Sequence, residues 1–227
     1  VSKPVNPKNV TVFGRLSFPT FTAAEAYERS QKGSYPAKDI GSASPDFLML
    51  VTQGQWDRFL THAVDNFLPY CQEQHAKGEK RDALEPKEVK QLIDGISGDL
   101  ADQIYNSPAK PVHEKSAELA PEAVATIKAI GPKGGNIELK AIVRNESELL
   151  VPDPDLIIPE RGTILPLSDT KFEMYPGCIV VATLNLYAYH NGKLPGFSAG
   201  VTTAVFKADA ERFGGGVDMD ADEMFLD

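Results

Sequence analysis

Period-two alternation opens the chain. In VTVFGRLSF, Val10, Val12, Leu16 and Phe18 fall on one face, interrupted by Gly14. Thr11, Phe13, Arg15 and Ser17 fall on the other. This is the pattern of a strand with one buried side, and Gly14 marks a bulge or a bend in it. The polar stretch from Thr20 to Ser44 reads as a long loop, and DFLMLVT (Asp46 to Thr52) as a second strand. The period then changes. Trp56, Phe59, Leu60, Ala63, Phe67 and Leu68 recur at helical spacing until Pro69, which ends or kinks the helix. Glu85-Pro86 opens a second helix with the stripe Val89, Leu92, Ile93, Ile96 and Leu100, and a third is expected from about Pro121 to Ala129.

From Gly134 the strands return. NIELKAIVRN sets Ile137, Leu139, Ala141 and Val143 against Glu138, Lys140, Ile142 and Arg144. A proline-rich loop follows, VPDPDLIIPERGTILPL, and then the clearest strand, CIVVATLNLYAYHNG. GFSAGVTTAVFKAD reads as its hairpin partner, with the turn between His190 and Pro195. The expected architecture is mainly β with an α-helical insertion, an α+β barrel. Residues 1–213 form the domain, with the insertion at about 53–131.

The strand CIVVATLNLYAY carries the candidate chemistry. Val180, Ala182, Leu184, Leu186 and Ala188 make a core face. Thr183, Asn185, Tyr187 and Tyr189 point the other way. Two tyrosines two apart on a strand offer side-by-side rings on which unpaired bases can stack, and Thr and Asn add hydrogen bonds that suit any base. If Phe13 and Arg15, and Lys140 and Arg144, share that face, it becomes an aromatic groove with cations for phosphates. Periodicity does not fix strand order. Tyr is also an ordinary strand residue, and Lys140 and Arg144 also fit a solvated face.

The formal charge of −9 argues against nucleic acid at first sight. It is uneven, however. Residues 214–227, GGGVDMDADEMFLD, hold five acids (Asp218, Asp220, Asp222, Glu223, Asp227) and no base, which leaves −4 for the rest. They read as a flexible acidic tail with Phe225 near its tip. Cys71 and Cys178 form neither a CxxC pair nor a disulfide framework and read as reduced, buried thiols that suit a cytosol. No apolar run reaches the roughly 20 residues of a membrane helix, and VSKPVNPKNV has no leader-like core.

YPGCIVVATLNLYAYHNGKLPGFSAGVTTAVFKADAERFGGG resembles the phage single-stranded DNA-binding proteins once grouped as a domain of unknown function. The matching features are Tyr175, Gly177, the strand to Tyr189, Gly196 to Val201, and Phe213 to Gly216. The match covers about 45 residues, with a looser likeness over Val12 to Phe18; the helical middle departs from shorter relatives. The resemblance implies an OB-fold five-stranded barrel. It also implies a role in phage replication, recombination and repair in the host cytoplasm, and it leaves homo-oligomerisation open.

The tail is similar to those of bacterial and phage single-strand binders. There the carboxylates mimic phosphates in the protein's own groove, and the apolar tip docks replication or recombination proteins. The simpler alternative for the tail is a solubilising segment.

No cofactor, metal site or enzymatic activity is expected. His62, His75, His113 and His190 lack metal-ligand spacing, GGGVDMDADE lacks the glycine of a calcium loop, and PKGGN is not followed by a phosphate-loop GK[ST]. An adaptor that binds only protein through the tyrosine face is the competing class.

Overall fold

A computed structural model of the chain describes residues 6–97, 107–112, 114–145, 148–149 and 163–213. The acidic tail, His113 and the expected stripe residue Leu100 lie outside them.

Strand β1 (Asn9–Ser17) buries Val10, Val12 and Leu16, as its alternation requires. Gly14 makes no bulge, for its ladder runs unbroken past Gly14↔Val180. The reason for the glycine is close approach: a Cβ there would lie 2.6 Å from the Leu50 carbonyl oxygen. The expected loop that follows contains a helix, α1 (Ala23–Ser30). Thr22 and Glu25 form a reciprocal capping box, with the Glu25 amide donating to the Thr22 hydroxyl at 3.2 Å and the Thr22 amide to the Glu25 carboxylate at 3.0 Å.

After β2 (Asp46–Thr52), helix α2 (Gln53–His62) runs through a π-helical turn (Ala63–Phe67) into α3 (Leu68–Ala76). Pro69 therefore does not end the helix. The wider turn sits where its ring would otherwise meet the carbonyl four residues back. Helix α4 (Pro86–Ser97) starts on its proline as expected and buries Val89, Leu92 and Ile96.

Strand β3 (Ala109–Pro111) and helix α5 (Glu114–Leu119) come next. The third helix expected at about 121–129 is instead a strand, β4 (Ala123–Ile130). Its alanines invite a helical reading, but Ala125, Ile127 and Ala129 alternate inward and the intervening residues face out. The helical part of the insertion thus closes at Leu119, short of the expected 131.

The remaining strands are β5 (Glu138–Asn145), β6 (Glu148–Leu149), β7 (Thr163–Pro166), β8 (Ile179–Asn191), β9 (Leu194–Gly200) and β10 (Thr203–Ala208). Strand β7 falls inside the expected proline-rich loop. It pairs along β5, with Pro166 at its last position where a missing amide costs least. The β8–β9 turn is tighter than expected: Asn191 pairs with Leu194 across Gly192, whose φ is 62°.

Five strands close a ring in the order β1–β2–β4–β9–β8 and back to β1. All neighbours are antiparallel except β4 and β9, which meet in parallel at Ile130↔Gly200. First, second, third, fifth, fourth is the cyclic order of the OB-fold barrel. Beyond the ring, β10 carries the sheet on to β5 and β7. One core joins barrel and helices: Phe197 of β9 lies 6.5 Å from Phe59 of α2 and 5.7 Å from Phe67, centroid to centroid.

Candidate nucleic-acid interface

Strand β8 outruns its neighbours. Its first half pairs with β1 on one edge and β10 on the other, and its second half pairs with β9. Core residues Val180, Ala182, Leu184 and Leu186 alternate with the outward Thr183, Asn185, Tyr187 and Tyr189. Thr183 shares a 2.9 Å hydroxyl contact with Thr11, and the Asn185 amide donates to the Asn9 side-chain oxygen at 3.0 Å. Thr11 and Asn9 thus widen the polar part of this column.

The tyrosines lie against β9, whose outward positions are Gly196, Ser198 and Gly200. A Cβ on Gly196 would come within 2.8 Å of Tyr189 Cζ, so the ring occupies the space a side chain there would take. The Tyr187 ring edge passes 3.6 Å from the corresponding point on Gly200. LPGFSAG is therefore a floor of small residues outward and a core strand inward, through Phe197 and Ala199. Both rings are half-buried. Burial, with the neighbouring Tyr187, pushes the Tyr189 phenol above its ordinary value, so that ring carries no charge that would repel phosphate.

The same face continues sideways. Phe13, Val181, Val205, Lys140 and Pro166 form one register row across β1, β8, β10, β5 and β7. Beside it lies a shallow groove of about 270 Å³, lined by Lys140, Thr183, Thr203, Ile142, Val181 and Val205 among others. The structure thus brings Phe13, Lys140, Thr183, Asn185, Tyr187 and Tyr189 onto one surface.

The cations differ from expectation. The Lys140 ammonium is 2.9 Å from the Glu138 carboxylate, which neutralises it. The Phe13 ring is covered by the Lys207 ammonium, 3.7 Å from its centroid, which fills the place where a base would stack. Lys207 is 4% exposed, and nothing in the sequence periodicity singles it out.

Arg15 faces the C-terminal segment of the domain. Its guanidinium donates to the carbonyls of Gly177 and Glu211, meets Glu122 at 3.3 Å and lies over Phe213. Gly177, at φ 105°, lets the Glu211 backbone pass where a Cβ would stand, and the Tyr175 hydroxyl bonds Asp209 and Ala210. Arg15 therefore fixes the segment that ends the described residues at Phe213. Arg144 lies on β5, and its side chain is outside the described residues.

No family model matches the chain, and no curated protein matches it by sequence. Solved structures resemble it. The single-stranded DNA-binding protein of bacteriophage Enc34 in C-terminally truncated form aligns at TM-score 0.48 and 14% identity, over 93% of this chain and 95% of that one. The same protein in complex with single-stranded DNA aligns at TM-score 0.47 and 13% identity, over 94% and 97%. The single-stranded DNA-binding protein gp2.5 of bacteriophage T7 aligns at TM-score 0.45 and 13% identity, over 95% and 94%.

A second cleft, of about 460 Å³, opens between residues 18–44 and the outer side of β2 and β4. Asp46 holds both Arg29 and Lys128 there, the latter at 3.0 Å, and Tyr35 stands at the rim 95% exposed. The sequence signal for the helix that lines this cleft is the T-x-x-E cap at Thr22. Cys71 and Cys178 are free, buried thiols, pushed by desolvation to about 12 and about 11. Among the described residues no cluster of His, Cys, Asp or Glu is built to hold a metal, and no helix is long and apolar enough to cross a membrane.

Proposed function

We propose that the chain binds single-stranded DNA without sequence selectivity, along the outward face of β8 and β9. One observation carries this reading: Tyr187 and Tyr189 rest on a glycine-lined strand in line with Asn185 and Thr183. Unpaired bases stack on such rings whatever their sequence. The neutralised Lys140 makes the 270 Å³ groove better suited to a base or sugar than to phosphate. The role that follows is protection of single strands in phage replication, recombination and repair, in the host cytoplasm.

Residues 214–227 act as a tethered competitor and a handle for protein partners. Phe213, the residue before them, packs against Arg15 at one end of the face. Fully extended, that length of chain spans about 45 Å, enough to run along β8. Asp218, Asp220, Asp222 and Glu223 then take the place of phosphates, and Phe225 is left to a replication or recombination partner.

A second reading has a specific observation behind it. The cleft around Arg29, Lys128 and the exposed Tyr35 lies on the second and third barrel strands, a surface OB-folds often use for oligonucleotides. Titration of oligo-dT and of a duplex of equal length across salt tests the function. Tight, salt-weakened binding to oligo-dT alone supports it, and no binding at low salt rejects it in favour of the protein-only adaptor. Tyr35→Ala in the same titration separates the two surfaces.

A further inference from the structure

We infer that Asp82, in the helical insertion, is a positioning residue for the tyrosine platform: its carboxylate completes the edge of β8 where β1 ends. The inference rests on the single-strand reading above. The last β1–β8 pair is Asn9↔Asn185, and the Lys8 carbonyl then accepts from the Leu186 amide at 2.7 Å. Past that point β1 is gone and the next amide on this edge, Ala188, would be bare. Asp82 Oδ1 accepts it at 2.9 Å, while Oδ2 holds the Lys8 ammonium at 2.5 Å. Carbonyl and carboxylate therefore take successive edge amides, linked through Lys8 itself.

Ala188 lies between Tyr187 and Tyr189, so this bond fixes the backbone that aims both rings. The Asp82 side chain is 2% exposed and its φ is 55°, a backbone state aspartate tolerates better than most residues. Nearby, His190 Nε2 meets Glu88 of α4 at 3.1 Å and Phe197 packs on Phe59 and Phe67. The insertion thus holds the β8–β9 hairpin from its edge and from beneath.

Amide exchange and oligo-dT titration on the whole chain test this. Asp82→Ala is expected to speed Ala188 exchange about tenfold or more and to weaken oligo-dT binding about fivefold or more. Asp82→Asn keeps an oxygen for the Ala188 amide and is expected to restore both, which a loss of general stability would not do. Wild-type exchange at Ala188 in Asp82→Ala overturns the inference, as does wild-type affinity there while Tyr187→Ala binds weakly. If Tyr187→Ala binds like wild type, the single-strand reading fails, and Ala188 exchange alone decides the brace. Should Asp82→Ala not fold, the wild type decides. Its Ala188 amide must exchange more slowly than that of His190 on the same edge, and equal rates reject the bond.

Discussion

Glycine and tyrosine divide the work on the outward face. At Gly196 a methyl would meet Tyr189 Cζ at 2.8 Å, whereas at Gly200 the nearest atoms are at ordinary contact, 3.4 Å and beyond. The Tyr189 ring is the movable partner, so Gly196→Ala shifts the ring and spares the barrel. The expected outcome is a melting temperature near wild type with several-fold weaker oligo-dT binding, and no change in either for Gly200→Ala. Equal binding by both variants would show that the ring's seat on β9 is irrelevant. The sequence marks the tyrosines by period two. It does not reveal that Phe13 is covered by Lys207, that Lys140 is neutralised by Glu138, or that Arg15 turns to Glu211. The Lys207 and Glu211 contacts join segments about 200 residues apart, and periodicity within one strand carries no register. Glu138 and Lys140 do share a face of β5, but period two shows the shared face and not the ion pair.

At the level of elements, the segment leading into β1 is tied to α2. His62 Nε2 donates to the Pro7 carbonyl at 3.0 Å, and burial is the main cause that holds its imidazole below the ordinary 6.5. The folded state therefore refuses a proton that the unfolded chain accepts, and stability is lost as pH falls below about 6.5. Thermal unfolding between pH 7 and pH 5 is expected to show a larger loss for wild type than for His62→Gln, which can still donate. Parallel curves would remove His62 as the cause.

The elements also show why some were legible. β1, α4 and β8 follow their periods because one face is buried and the other wet, whereas β2 shows as a short apolar run and buries Leu50 on its second face as well. β4 departs from the helix expected there because five residues of PEAVATIKA are helix-favouring singly, while barrel closure, a tertiary demand, makes it a strand. Pro69 does not end the helix because a π-helical turn, invisible to a 3.6-residue period, absorbs it.

For the whole molecule, charge and topology act together. The barrel order, with its extension through β10, brings sequence-distant faces of β1, β5, β8 and β9 onto one surface, while the strongest block of acid lies in residues 214–227. Deleting residues 218–227 removes five acids, changes the net charge from −9 to −4, and is expected to tighten oligo-dT binding most at low salt. Unchanged affinity at low salt would leave the tail a solubilising segment.

The most direct measurement compares wild type with the Tyr187→Ala, Tyr189→Ala double variant in oligo-dT titration at one fixed salt concentration, with melting curves on both. Each ring contributes about 1–3 kcal/mol if it stacks a base. The expected result is about thirtyfold weaker binding or more with the barrel intact. Wild-type affinity in a folded double variant would contradict the account.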